Sequence, residues 1–375
     1  MKMKTSGSAE RYSCFCVCGA NLCVIKKKEI ANEKGYKTKE IGRDRKDDRC
    51  CEPDSKNGSV GERRIGMYEV KSIKDMDHEA WLKLRKTGIG GSDAAAICGL
   101  NPYASAIHVF QDKTSEELNV KDSEPMRQGR DLEDYVARRF CEASGLKVRR
   151  SHMLYRSTSH SFMIADVDRL IVGQDAGLEC KTASAYSYDQ WKDGQIPTHY
   201  LIQCLHYMAV TGKREWYIAV VILGKAFLYQ KITWNDEVIK KLIAIEEAFW
   251  SQHIIAGCMP APDGSKACDE LLGQYFCTAK KKSSIPLVGF DEKLERREEL
   301  LQMKERLEQE QKQIEQEIKL VMQDNELAFT EKYQVAWSNV ETTRLDAKRM
   351  KEEQPEVYQD FSQTTISRRF SIKAA

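Results

Sequence analysis

The sequence predicts a mixed α/β fold, and three observations predict it. Apolar residues make up 41% of the 375, enough to fill a sizeable core. From Met67 to about residue 258, helical and two-residue periods follow one another in the order helices, strands, helix, strands, helix. Two of the strand-like runs carry acids among apolar residues, where an ordinary core strand has no use for them.

Each element has its own signal. "DHEAWLKLRKTGIGGSDAAAICGLNPY" reads as a helix, a glycine-rich turn and a second short helix. Ser92 is the expected N-cap of that second helix, and Gly99 with Asn101-Pro102 its stop. "GRDLEDYVARRFCEASG" is a helix ended by Gly145. "KVRRSHMLYR", "FMIADVDRLIV" and "GLECKTAS" read as three strands. "IPTHYLIQCLHYMAVTG" is a helix opened by Pro197 and closed by Gly212. "EWYIAVVIL" and "AFLYQKIT" form a hairpin around Gly224-Lys225, and "DEVIKKLIAIEEAFWSQHI" an amphipathic helix.

Outside this stretch the organisation changes. Residues 1–66 are charge-dense and read as a poorly ordered extension. Their cysteines (Cys14, Cys16, Cys18, Cys23, Cys50 and Cys51) lack the paired C-x2-C arms of a zinc module. Residues 259–290 read as a linker. Residues 291–328 form a long charged helix, with Leu300, Leu307, Ile314 and Val321 at every seventh position. The facing heptad positions are mostly Lys, Gln or Glu, so this helix is expected to lie on something rather than pair as a free coiled coil. Residues 329–375 read as a small α/β tail: a strand, a short helix and a last strand.

Composition excludes some classes. There is no run of eighteen apolar residues and no secretory-type leader, so a soluble protein of the cytoplasm, with no membrane partner, is expected. Thirteen cysteines, an odd number, do not make a disulfide framework in that compartment. The net charge of +2 is uninformative about nucleic acid, because a nucleic-acid enzyme need be basic only locally.

The chemistry lies in the strands. In "GLECKT" (residues 177–182), alternation puts Glu179 and Lys181 on one face and Leu178 and Cys180 on the other. Asp166 and Asp168 share a face on the preceding strand, and the turn "VGQDAG" can fold them back toward Glu179. Packed carboxylates repel unless a cation lies between them, and Mg²⁺ is the natural oxygen-seeking ion. Lys181 is then placed to orient or help deprotonate a metal-bound water. This D-x10-E-x-K pattern suits phosphodiester hydrolysis; an ordinary Glu–Lys pair on a surface hairpin is the competing reading.

Further residues converge on the same idea. Glu133 shares a helix face with Val136, Ala137 and Phe140, where an acid needs a partner. Gln203 lies on a helix with His206, Tyr207 and Val210; its amide can hold a phosphate or a water, while taken alone a buried hydrogen-bonded glutamine is the favoured reading. His199 and His206, seven apart, are too distant to chelate one ion and read as structural or substrate-facing. Arg85, the glycine-rich turn and Ser92 together offer a guanidinium, free N–H groups and a hydroxyl, an anion pocket fit for a terminal DNA phosphate.

Taken in order, "TGIGGSDAAAICGLNPY", "GRDLEDYVARRF", "VDRLIVGQDAGLECKTA" and "IPTHYLIQCLHYMAVTG" resemble the YqaJ-type viral recombinase exonucleases, which are lambda exonuclease-like members of the PD-(D/E)xK superfamily. The resemblance runs from Met67 to about Ile254, with a similar tail, and leaves the first 66 residues uncovered. It implies a restriction-endonuclease-like mixed β-sheet core flanked by helices. It also implies that Asp168, Glu179 and the carbonyl of Cys180 bind Mg²⁺, with Mn²⁺ as substitute. Lys181 would assist the attacking water, Glu133 and Gln203 would complete the metal and water shell, and Arg85 and Ser92 would hold the 5′ phosphate. The implied activity is 5′-to-3′ degradation of one strand at double-stranded DNA ends, leaving a 3′ strand for a single-strand annealing protein. A ring-shaped homotrimer is implied by analogy.

Two departures stand out. Val167 replaces the motif's proline, and Asp166 stands where lambda-type enzymes carry serine, so Asp166 is either a third ligand or a strand cap. Two other classes compete: a D-E-x-K endonuclease or junction resolvase, and a non-catalytic DNA-binding module. The intact Asp168–Glu179–Lys181 set argues against the module, and the phosphate pocket favours an end-dependent enzyme over the endonuclease.

Overall fold

The computed structural model describes residues 63–65, 67–118, 123–280, 283–365 and 367–373. The expectations for residues 1–62, including their six cysteines, lie outside the described residues. The chain divides into two units, one reaching Tyr275 and one beginning at Phe276.

The first unit holds two sheets. β1 (Arg63–Ile65), β2 (Tyr68–Ser72), β4 (Met153–Ser157) and β5 (Ile164–Asp166) form an antiparallel sheet in the order β1-β2-β4-β5. β3 (Val148–Arg150), β6 (Arg169–Ile171), β7 (Ala176–Ala183), β8 (Glu215–Ile222) and β9 (Ala226–Thr233) form a mixed sheet in the order β3-β6-β7-β8-β9. Only the β7–β8 pair is parallel. β8 is buried and apolar on both faces over most of its length, as a strand covered on two sides must be, whereas β7 is fully buried only over its first half.

Two runs that read as single strands are each broken between the sheets. "KVRRSHMLYR" becomes β3 and β4, turning at His152, whose φ of 48° is left-handed. "FMIADVDRLIV" becomes β5 and β6, with the chain crossing from one sheet to the other at Val167–Asp168. The alternation persists through each break, which is why the sequence pattern does not reveal it. The crossing places Asp168 at the seam between the sheets. β6 and β7 do form the expected hairpin, pairing Arg169 with Leu178.

The helices cover both faces. α1 (His78–Lys86) is capped by Asp77, whose carboxylate accepts the Ala80 N–H at 2.7 Å. α2 (Gly91–Ile97), α3 (Ala106–Thr114), α5 (Thr198–Thr211) and α6 (Asp236–Phe249, running on to Ile255 as a π-turn) enclose a core around Trp216, Met163 and Met208. α4 (Glu124–Ser144) packs Val136, Ala137, Phe140 and Cys141 on the other side of the mixed sheet, against Leu178 and Ala219. Gly145 and Gly212 end α4 and α5 with left-handed φ of 74° and 69°, as expected.

The segment read as linker contains a helix, α7 (Lys266–Tyr275). Cys268 and Leu271 bury themselves against Ile107, which supplies the apolar contact that holds it. Its face is only three residues wide, too little periodic signal to register beside the neighbouring Pro and Gly.

In the second unit, α8 (Asp291–Met322) is the expected long helix, and Leu300, Leu307, Ile314 and Val321 are all exposed on it. β10 (Leu327–Phe329) and β11 (Gln334–Ala336) form a hairpin, followed by α9 (Ala347–Glu353) and α10 (Pro355–Asp360). Among the described residues no strand follows α10, contrary to the last strand expected in the tail. "SRRFSIK" has the alternation of a strand but no free edge paired to it, and an unpaired strand gains no ladder hydrogen bonds.

Candidate active site

The glycine-rich loop is fixed by close packing. Ile89 joins the edge of the four-stranded antiparallel sheet by a parallel bridge to Met163, beside β5, its N–H donating to the Phe162 carbonyl at 2.6 Å. A Cβ on Gly88 would meet that carbonyl oxygen at 2.7 Å. A Cβ on Gly91 would meet Gln203 Cγ and Tyr207 Cε1, each at 2.7 Å. Glycine at 91 therefore lets α2 lie directly on α5, which carries Gln203.

The cap of α2 differs from the expectation. Gly90, not Ser92, is the N-cap, and the Asp93 carboxylate reaches back to accept the Gly90 N–H at 2.9 Å. Ser92, one position inside the helix, is free of the cap and exposed. Its hydroxyl accepts from Arg85 Nη2 at 3.3 Å. Arg85 also lies over the Trp81 ring, 5.0 Å from its centre. Lys113, fully buried, donates to Asp93 at 2.7 Å and to the Arg85 carbonyl at 3.1 Å. Burial works against the Asp93 charge, but Lys113 and Arg85 hold its carboxyl below the usual range.

One cleft of about 250 Å³ gathers both halves of the predicted chemistry. Arg85 lines it from the last turn of α1, Gly91 and Ser92 from the first turn of α2, and Asp166, Asp168, Glu179, Lys181 and Gln203 from the sheets and α5. Asp166 accepts the Trp81 indole N–H at 3.1 Å, so it has a structural partner besides its place in the cleft.

The acids are tightly enclosed. Asp168 Oδ2 accepts the Cys180 N–H at 2.8 Å, which ties the seam between the sheets to β7. Glu179, only 2% exposed, accepts from Lys181 Nζ at 2.6 Å and from Gln203 Nε2 at 2.8 Å, both on Oε1. Its other oxygen, Oε2, is buried with no hydrogen-bond partner among the described residues. Burial and the neighbouring Glu179 push the Asp168 carboxyl up to about 8. Burial pushes Glu179 up as well, against the pull of Lys181. Burial opposes the Lys181 charge, but Glu179 and Asp168 hold its pKa above the ordinary lysine value. Lys181 also sits 4.8 Å from the centre of the Tyr200 ring.

A buried acid with an orphaned oxygen and a half-buried acid lining the same cleft fit a cation. Asp168 and Glu179 are the acids at that point. Among the described residues no three His, Cys, Asp or Glu side chains converge as a metal cage, so an ion here needs backbone, water or substrate oxygens too. Glu133, expected in the metal shell, is bonded to Arg169. Burial and Asp168 raise its pKa, with Arg169 opposing.

His206 is structural. Its Nε2 donates to the Ile164 carbonyl at 2.9 Å, and Nδ1 lies 2.8 Å from Glu246 Oε1, all fully buried. His199 packs between Tyr103 and Tyr200. Burial and then Lys181 lower its pKa to about 4. Sequence reasoning missed Asp93, Lys113, Arg169, Tyr207 and Glu246. Only Asp93 left a signal, as the acid three residues past the glycine cap.

Comparison with known proteins identifies a family. Residues 80–214 match the model of the YqaJ-like viral recombinase domain. The chain is 38% identical over 303 residues to the uncharacterized protein YqaJ of Bacillus subtilis strain 168, covering 80% of this chain and 95% of that one. Among solved structures it is similar to the alkaline exonuclease LHK-Exo of Laribacter hongkongensis, at 16% identity and TM-score 0.42, over 52% of this chain and 97% of that one. LHK-Exo in complex with dAMP gives 18% and 0.43, over 48% and 93%. The matched domain sets the class of protein as a viral recombinase-domain protein. The chain belongs to the YqaJ-like viral recombinase family.

Proposed function

We propose that the protein is a Mg²⁺-dependent 5′-to-3′ exonuclease that digests one strand from the ends of linear double-stranded DNA. The observation that carries this reading is the shared cleft: an anion-binding pair, Arg85 and Ser92, lines the same space as Asp168, Glu179 and Lys181. A nuclease that begins at an end must hold a terminal phosphate while it cuts the next diester, and those are the two jobs on either side of the cleft.

In this reading Asp168, Glu179 and the Cys180 carbonyl hold the divalent ion, with Mn²⁺ as a substitute for Mg²⁺. When bound, the ion polarises the scissile phosphate and lowers the pKa of water at its side. Lys181 orients the attacking water and neutralises the phosphate from the face next to Glu179. The Gln203 amide fixes the Glu179 carboxylate on Oε1, leaving Oε2 turned away from both donors. Arg85 and the Ser92 hydroxyl bind the terminal 5′ phosphate, with Trp81 stacked under the guanidinium. The 3′ strand left behind suits a single-strand annealing protein as partner. A ring of identical subunits around the duplex would keep the enzyme on its track, and a bacterial cytoplasm is where such ends arise.

The test is topology. Linear duplex with Mg²⁺ should be degraded, while covalently closed circles of the same sequence persist. Cutting of closed circles at a comparable rate contradicts an end-dependent enzyme and favours an endonuclease.

A further inference from the structure

Arg169 is the basic residue of the acid cluster that the proposed chemistry does not use. Its side chain is almost fully buried, with the residue 2% exposed. A guanidinium stays charged in a protein, and a buried charge persists only when paired and hydrogen-bonded. Every partner lies at the edge of the site. Nη1 donates to the Glu133 carboxylate and, at 2.7 Å, to the carbonyl of Asp168. Nη2 donates to Asp134 Oδ1 at 2.5 Å. Arg150 donates to the same Asp134 oxygen at 2.7 Å and lies 4.0 Å from Glu133.

One planar group thus joins the acid pair of α4 to the backbone of the residue whose side chain heads the cleft. A second divalent ion beside Glu133 would have to displace a bonded guanidinium. Glu179 differs: it keeps an unpartnered oxygen. The cluster therefore has one position open to an exchangeable cation and one already filled by the chain.

We propose that Arg169 is a positioning residue that serves as a built-in cation. It takes up Glu133 and fixes the Asp168 turn, so that the cleft of the DNA-free protein holds a single exchangeable divalent ion, at Asp168 and Glu179, and none at Glu133. This rests on the metal-dependent nuclease reading above. Removing the guanidinium should then have opposite effects on two readouts. The freed acids attract more metal, while turnover falls because the Asp168 turn is no longer held. A merely structural arginine would lower both together.

The test is a Mn²⁺ titration of metal-free, full-length protein, counted by calorimetry and by loss of the free-ion EPR signal, beside turnover on linear duplex. Wild type should bind about one Mn²⁺ per chain, lost in Glu179→Gln. Arg169→Met should bind about two, with kcat about 10- to 100-fold lower and KM for DNA unchanged. Arg169→Lys should keep the count near one and recover part of kcat. Glu133→Gln, which needs no buried charge left alone, should leave the count at about one. Two ions per wild-type chain, both lost in Glu179→Gln, overturn the proposal. So does a fall in count in Glu133→Gln, or an Arg169→Met protein with unchanged count and kcat. A wild type that binds one ion yet degrades no DNA refutes the nuclease reading instead, and leaves the ion count standing.

Discussion

The Gln203 side-chain amide donates to Glu179 Oε1 at 2.8 Å, and the same nitrogen lies 2.9 Å from the Tyr207 hydroxyl. Lys181 donates to that same Oε1. Both donors therefore gather on one oxygen of the carboxylate and leave the other bare inside the protein. From α5 the carboxylate is oriented by Gln203, whose amide is itself held by Tyr207 one turn further along the helix. Gln203→Leu should lower kcat by about 10- to 100-fold on linear duplex, the usual effect of losing a group that orients a metal ligand. Its melting temperature should stay close to wild type. A rate near wild type would remove Gln203 from the site.

Arg85 is expected to set the preference for the end. Hydrogen bonds to charged groups contribute about 1.5–3 kcal/mol each, so Arg85→Ala should lose about tenfold or more of the rate advantage of 5′-phosphate over 5′-hydroxyl ends. Ser92→Ala should lose less, because its hydroxyl is neutral. Matched duplexes differing only in that phosphate measure this. An unchanged ratio in Arg85→Ala would place the phosphate pocket elsewhere.

Gly91 should tolerate no side chain. In Gly91→Ala the new methyl meets α5 at 2.7 Å on two atoms, one of them on Gln203. Overpacking of this kind costs about 1–3 kcal/mol, and the shift of Gln203 should lower activity with it. Gly129 is the control. Its nearest neighbour is 3.9 Å away on Thr182, and it lies within α4, so Gly129→Ala should be neutral or stabilise by up to ~1 kcal/mol. Chemical denaturation of both variants checks the contrast.

The buried His206–Glu246 pair should make stability fall with rising pH. Burial disfavours the His206 charge, but Glu246 and the Ile164 carbonyl raise its pKa above the ordinary 6.5. The native state then keeps a proton that the unfolded chain loses, so this stability is complete below about pH 6.5 and is lost as pH rises through the folded value. Glu246 is raised too, chiefly by burial, and acts in the same direction. The melting temperature of wild type, less that of the double variant His206→Gln/Glu246→Gln, should therefore shrink as pH rises above about 6.5. A difference that grows over that range would contradict the pairing.

Much of the site was legible because β-strand alternation is local. Glu179 and Lys181 had to share a face whatever the tertiary fold. Arg85 and Ser92 were readable as an anion-binding loop, and they do meet, although Gly90 rather than Ser92 supplies the cap. What was illegible depends on pairs far apart in the chain. Nothing in "IEEAFW" marks Glu246 as the partner of a histidine forty residues earlier. Nothing in "VDRL" shows that Arg169 turns to α4 while Asp168 turns to the cleft. The switch of sheets at Val167–Asp168 was hidden because alternation continues across it, and α7 was hidden because its apolar face is so short. Short or long-range contacts of this kind leave no period in the sequence.

The central claim is the polarity of digestion, and strand-specific labels test it most directly. A linear duplex carrying one label at a 5′ end and another at the 3′ end of the same strand is incubated with the protein and Mg²⁺. The 5′ label should be released first as mononucleotide and the 3′ label should persist on a shortening strand, with neither released by Glu179→Gln. Release of the 3′ label first, or loss of both from internal cuts, would contradict it.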